Sequence, residues 1–101
     1  MTEYTVISES EETGCWIYEV ALAPAEGSGK RLRLRLAWED YDLWVRDGSI
    51  EPARVANALL KYVLGHPAFQ PPPTRIDSSH PRRHDQGADE AINRLIREIQ
   101  A

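Results

Sequence analysis

From residue 31 the chain alternates charged and apolar side chains without a break: Arg31, Leu32, Arg33, Leu34, Arg35, Leu36, then Ala37 and Trp38. Successive side chains of a strand point to opposite faces, so a period of two puts the leucines on one face and the arginines on the other. Residues 15–23 (CWIYEVALA) are rich in β-branched and aromatic types and read as a second strand. Residues 3–8 (EYTVIS) read as another, and the polar run from Ser8 to Gly14 as the turn between them. Pro24 to Lys30, with two glycines, reads as a flexible loop.

An antiparallel register follows from matching the apolar positions. Leu22 is set against Leu32, Val20 against Leu34, Tyr18 against Leu36 and Trp16 against Trp38. On the reverse face Glu19 then meets Arg35, and Ala21 meets Arg33. A slip of one residue would break the pairing on both faces. The first strand fits with Val6 beside Trp16 and Tyr4 beside Tyr18. The expectation is a three-stranded antiparallel meander over about 3–8, 15–23 and 31–38 with one apolar face.

That face needs a cover, and the remaining apolar positions recur at helical spacing. Residues 39–47 predict a short helix with Tyr41, Trp44 and Val45 inward, ended by Gly48 in a left-handed conformation. Residues 50–64 predict a longer one. Pro52 suits its first turn, Val55, Ala56, Leu59, Leu60 and Val63 form its stripe, and Gly65 and Pro67 stop it. Residues 88–100 predict a third, with Ala88, Ile92, Leu95, Ile96 and Ile99 on one face. Between them, about 66–87 reads as an irregular Pro-rich and polar segment, extended at Pro71-Pro72-Pro73. The fold class expected is α+β, a single domain over 1–101 with helices packed on one face of an antiparallel sheet.

Composition narrows the class. With 101 residues and 42% hydrophobic positions, the chain is long enough to bury a core without staples. One cysteine, Cys15, excludes an internal disulfide and a Cys-based zinc site, and a small domain without staples is expected in the cytoplasm. The N-terminus lacks the basic and apolar regions of a signal peptide. No apolar run approaches the roughly 18 residues of a membrane span, so no membrane partner is expected. The net charge of −4 weakens a nucleic-acid reading, which rests on Lys/Arg neutralisation of phosphate. Charge is also unevenly distributed: residues 1–29 carry six Glu and no Lys or Arg, and then Lys30, Arg31, Arg33 and Arg35 arrive together.

The arginine face is the first candidate for chemistry. Arg31, Arg33 and Arg35 would stand roughly 6–7 Å apart along one strand, spaced to grip an acidic partner or an anion. The plain alternative is a solvated face, with Arg35 paired to Glu19. Residues 74–85 (TRIDSSHPRRHD) add Arg75, Arg82 and Arg83 as further anion-binding candidates, on a stretch that otherwise reads as a connector. His80 and His84 are four apart and could form a metal site with Asp77, Asp85 or His66. Pro81 and Arg82 stand where a zinc-protease motif needs other residues, however, and nearby arginines oppose a dication. No metal or cofactor is assigned. Asp77-Ser78-Ser79-His80 holds triad residue types, but near neighbours on one loop seldom reach triad geometry. Cys15 reads as an inert, partly buried thiol. The aromatic residues fall on the leucine face, away from the arginines, where a single-strand nucleic-acid platform would need both together. The acidic runs Glu11-Glu12, Glu39-Asp40-Asp42 and Asp89-Glu90 read as turn, helix-start or solvated charge.

The leading expectation is a non-enzymatic interaction or regulatory module. It would bind an acidic protein partner or anionic ligand through Arg31, Arg33 and Arg35, helped by Arg75, Arg82 and Arg83. A homodimer through the outer sheet face or the C-terminal helix is a further expectation. Nucleic-acid binding by the same arginines ranks second. A small enzyme or metal site around Asp77, His80 and His84 ranks third.

Overall fold

The computed structural model describes residues 3–22 and 30–100. Strands β1 (Tyr4–Glu12), β2 (Cys15–Leu22) and β3 (Lys30–Ala37) form the antiparallel meander. A further strand, β4 (Arg75–Asp77), joins β3 in parallel, so the sheet is mixed and runs β1-β2-β3-β4. Helices α1 (Trp38–Trp44), α2 (Pro52–Leu64), α3 (His80–His84) and α4 (Ala88–Gln100) complete the α+β fold, with a 3-10 turn at Pro67–Phe69. The loop expected over 24–29 and the side chain of Ile99 lie outside the described residues. Among the described residues, no helix is long and apolar enough to cross a membrane.

The core forms where the leucine face meets the helical stripes. Tyr18, Val20, Leu32, Leu34 and Leu36 pack in one cluster with Val55, Leu59, Leu60 and Val63 of α2 and Ile92 and Ile96 of α4. Each fully buried leucine contributes roughly 1.5–3 kcal/mol by leaving water. Tyr41, Trp44 and Val45 turn inward as their spacing requires. Pro52 occupies the first turn of α2, where its missing N–H costs nothing.

The register differs from the expectation by two residues. Val20 lies opposite Leu32, Tyr18 opposite Leu34 and Trp16 opposite Leu36, which puts Glu19 against Arg33 and Ile17 against Arg35. A two-residue slip leaves every side chain on its own face, so the hydrophobic pattern alone is blind to it. Trp38 shows what selects the register. It leaves the sheet to open α1 and is 43% exposed, with its ring centroid 6.2 Å from that of Trp16.

β1 is longer than expected. The run Ser8 to Glu12 is strand, and only Thr13 and Gly14 turn; Gly14 takes φ +80°. A two-residue hairpin loop needs positive φ, which glycine adopts without strain. An irregularity at Ile7 lets Val6 face Val20 while Ser8 faces Glu19, and Tyr4 falls opposite Leu22. Hairpin pairing thus overrides the weak strand propensity of Ser and Glu. α1 ends at Trp44, before the expected boundary at 47. Gly48 does take φ +67°, but in the turn beyond the helix.

The segment 66–87 is not wholly irregular, since it holds the 3-10 turn, β4 and α3. Three residues are too few to show a period, so β4 exists through its pairing. The Arg33 N–H donates to the Thr74 carbonyl at 2.8 Å, and the Ser78 N–H to the Arg35 carbonyl at 2.8 Å. This pairing sets Arg75 beside Arg33 and Asp77 beside Arg35.

Candidate anion-binding face

Strand alternation builds the site on the sheet face turned away from the core. Arg31, Arg33 and Arg35 project from β3, Ile17, Glu19 and Ala21 from β2, and Arg75 and Asp77 from β4. Arg33, Arg35 and Arg75 surround a groove of about 270 Å³ with Ile17, Asp77 and His80. Ile17 is only 7% exposed and gives the groove an apolar floor. The aliphatic stems of arginines suit such a floor while their heads stay in water.

The guanidiniums are partly committed. Arg35 Nη1 donates to Asp77 Oδ2 at 2.7 Å. Arg33 lies 3.5 Å from Glu19 and 4.0 Å from Glu12. The expected Arg35–Glu19 pair is therefore replaced, because the two-residue register shift hands Glu19 to Arg33 and β4 delivers Asp77 to Arg35. Arg31 and Arg75 make no ion pair among the described residues. Exposed pairs like these are weak and exchangeable, so an incoming anion competes for the same guanidiniums.

Asp77 and His80 close the free edge of β4. The Asp77 N–H donates to His80 Nδ1 at 3.2 Å, so the proton of a neutral ring sits on Nε2. Asp77 Oδ1 accepts from the Ser79 N–H at 3.0 Å and the Ser79 hydroxyl at 2.8 Å. Burial acts to raise the Asp77 pKa. The Ser79 N–H, Arg35 and the Ser79 hydroxyl outweigh it and hold the carboxyl below its ordinary value.

The other sequence candidates fall elsewhere. Arg82 is spent within the fold: Nη2 reaches Asp40 Oδ1 at 2.7 Å and Asp89 Oδ1 at 3.0 Å. Its pKa is raised, chiefly by hydrogen bonding to Asp89. Arg83 is exposed on α3 and does not line the groove. Asp40, expected as helix-start or solvated charge, is only 3% exposed, and no sequence feature separates it from Glu39 and Asp42. Ser78, 1% exposed, donates to Asp40 Oδ2 at 2.5 Å and accepts from the Ala37 N–H at 3.0 Å.

His80 and His84 line one groove beside β4, and Asp77 lines the arginine groove with His80. The Ser78 and Ser79 hydroxyls are held by Asp40 and Asp77, and the His80 ring accepts a backbone N–H. His84 packs edge-on to Phe69 with centroids 5.1 Å apart. No group of three potential metal ligands occurs among the described residues. Cys15, expected to be partly buried, is almost fully so, at 4% exposure.

No protein-family model, curated protein or solved structure matches the chain.

The carboxylates make acid stability a direct check on these contacts. At Asp89 burial acts upward, but Arg82 and the Trp44 indole N–H outweigh it, so its pKa is lowered like that of Asp77. A folded pKa below the unfolded value near 3.9 adds stability that is complete above that value. It is lost as the pH falls through the folded value. The urea midpoint should therefore drop most steeply below about pH 4. A variant carrying Asp77→Asn and Asp89→Asn should lose less between neutral pH and strong acid. An equal acid drop in variant and parent would refute the assignment.

Proposed function

We propose that this chain is a non-enzymatic interaction module whose arginine face receives an acidic protein segment or another anionic ligand. The reading is supported above all by the meeting of Arg75 with Arg33 and Arg35 around one groove, although Arg75 comes from a distant stretch of sequence. Three guanidiniums over an apolar floor offer forked, charge-assisted hydrogen bonds to a carboxylate or phosphate oxygen. The face also lacks aromatic side chains on its described strands, which supports a protein partner over single-stranded nucleic acid. A single buried cysteine supports a cytoplasmic setting for the module.

The test is an amide NMR titration with an oligoglutamate peptide at low and at physiological salt. Saturable shifts are expected at Arg33, Arg35 and Arg75. Arg75→Glu should weaken binding about tenfold or more, the scale of one lost charge-assisted contact plus a new repulsion. Arg83→Glu, a change of the same charge outside the groove, should leave affinity within about twofold. Equal losses from the two variants would reduce the effect to net charge and remove the face from the reading. Tighter binding of a single-stranded oligonucleotide of equal charge would move the reading to nucleic acid.

A further inference from the structure

Beyond β4 lies a second groove, of about 290 Å³, walled by Phe69, Pro71, Pro73 and His84. Arg75, Ile76 and His80 line both grooves, so the two meet across this short edge strand. One groove is cationic, while the other is mainly aromatic and proline-lined. We propose, resting on the anion-binding reading above, that the two grooves together receive one peptide. Its acidic side chain lies among Arg33, Arg35 and Arg75, and a neighbouring bulky apolar side chain lies against Phe69 and His84.

Charge selects the acidic group. Four guanidiniums on this face, those of Arg31, Arg33, Arg35 and Arg75, stand against the carboxylates of Asp77, Glu19 and Glu12, leaving one net positive charge. One carboxylate balances that charge. A phosphomonoester, with about −1.5 to −2 charge at neutral pH, would overfill it and repel Asp77.

Backbone geometry selects the binding mode. The Asp77 N–H is already accepted by His80, so the peptide cannot gain that ladder bond by extending the sheet at β4. It crosses the edge instead, held by side chains on either side. The Nε2 proton of His80 sits at the junction and can donate to the carboxylate or to a peptide carbonyl.

The experiment compares four capped peptides in one glycine-serine background. They carry Glu-Phe, Glu-Ala, Gln-Phe or phosphoserine-Phe, and affinity is read from amide shifts of the intact chain. Glu-Phe should bind about tenfold tighter than Glu-Ala or Gln-Phe, each of which forfeits one groove. Its shifts should reach Phe69 and His84 as well as Arg33 and Arg35. Ala68→Glu places a carboxylate at the exposed rim of the second groove. It should remove the advantage of Glu-Phe and leave Glu-Ala binding as it was. Equal affinity of Glu-Phe and Glu-Ala would overturn the two-groove proposal and leave the anion-binding reading standing. Failure of the two glutamate peptides and the phosphoserine peptide to shift any resonance would overturn both. Binding of the phosphoserine peptide more tightly than Glu-Phe would overturn the carboxylate assignment.

Discussion

Trp44→Ala should destabilise the protein by about 4 kcal/mol, within the range for removing a large aromatic side chain from a packed core. Trp44 ends α1 almost fully buried, and its contacts reach beyond its own helix. The indole N–H donates to Asp89 Oδ1 at 3.0 Å, and the Trp44 carbonyl accepts from Asn93 Nδ2 at 2.9 Å, both on α4. Alanine leaves a void between the sheet and two helices and removes the indole bond at once. For a chain near 100 residues this lowers Tm by about 20 °C, at roughly 4–8 °C per kcal/mol. Trp44→Phe separates the terms: it keeps most of the packing, loses the N–H, and should cost about 1–2 kcal/mol. Urea unfolding reads both values. A loss under about 1 kcal/mol for the alanine variant would mean the indole is not part of the core.

Asp40→Ala should cost about 3 kcal/mol, for an electrostatic reason. The buried carboxylate joins three separate pieces of chain. It accepts from Arg82 on α3 and from Ser78 just after β4, and its own position in the first turn of α1 suits a negative charge. Removing it leaves the Ser78 hydroxyl buried without its acceptor and leaves Arg82 with Asp89 alone. Buried groups stripped of partners pay their desolvation cost in full. Asp40→Asn should lose less, since its amide oxygen still accepts one of the two bonds. A double-mutant cycle with Ser78→Ala should show coupling of about 1 kcal/mol or more. Full additivity would mean that the bond contributes nothing. Trp44 and Asp40 are linked through Arg82 and Asp89, so their combined loss should fall short of the sum.

The Asp40 clasp also bears on the binding face. Ser78 follows directly on Asp77, and the clasp anchors the end of β4 to α1. Weakening it loosens the strand that carries Arg75 and Asp77. Asp40→Ala should therefore erode anion binding as well as stability, although Asp40 does not line the groove.

Several features of this fold were legible in the chain because they are local. The leucine and arginine faces of β3 follow from a side-chain period of two. The stripes of α2 and α4 follow from a period near 3.6, and the separation of aromatics from arginines follows from the same alternation. Three guanidiniums of the binding face, those of Arg31, Arg33 and Arg35, were visible for that reason. Arg75 belonged to the same list of candidates as Arg82 and Arg83, and the sequence could not rank the three.

What ranked them was tertiary structure. β4 is three residues long and pairs with a strand far away in sequence, so no window on the chain reveals it. Its pairing brings Arg75 to the groove and joins the cationic groove to the aromatic one. The register of β2 on β3 was equally hidden, because a shift of two residues preserves both faces and changes only the partners. Burial of Asp40 and the capture of Arg82 depend on α1, α3 and α4 meeting in space. Sequence periodicity thus decided which face of each element is apolar, since that depends on backbone geometry within the element. Which charges are paired, buried or left to meet a ligand was decided by contacts between elements, where long-range packing sets the distances.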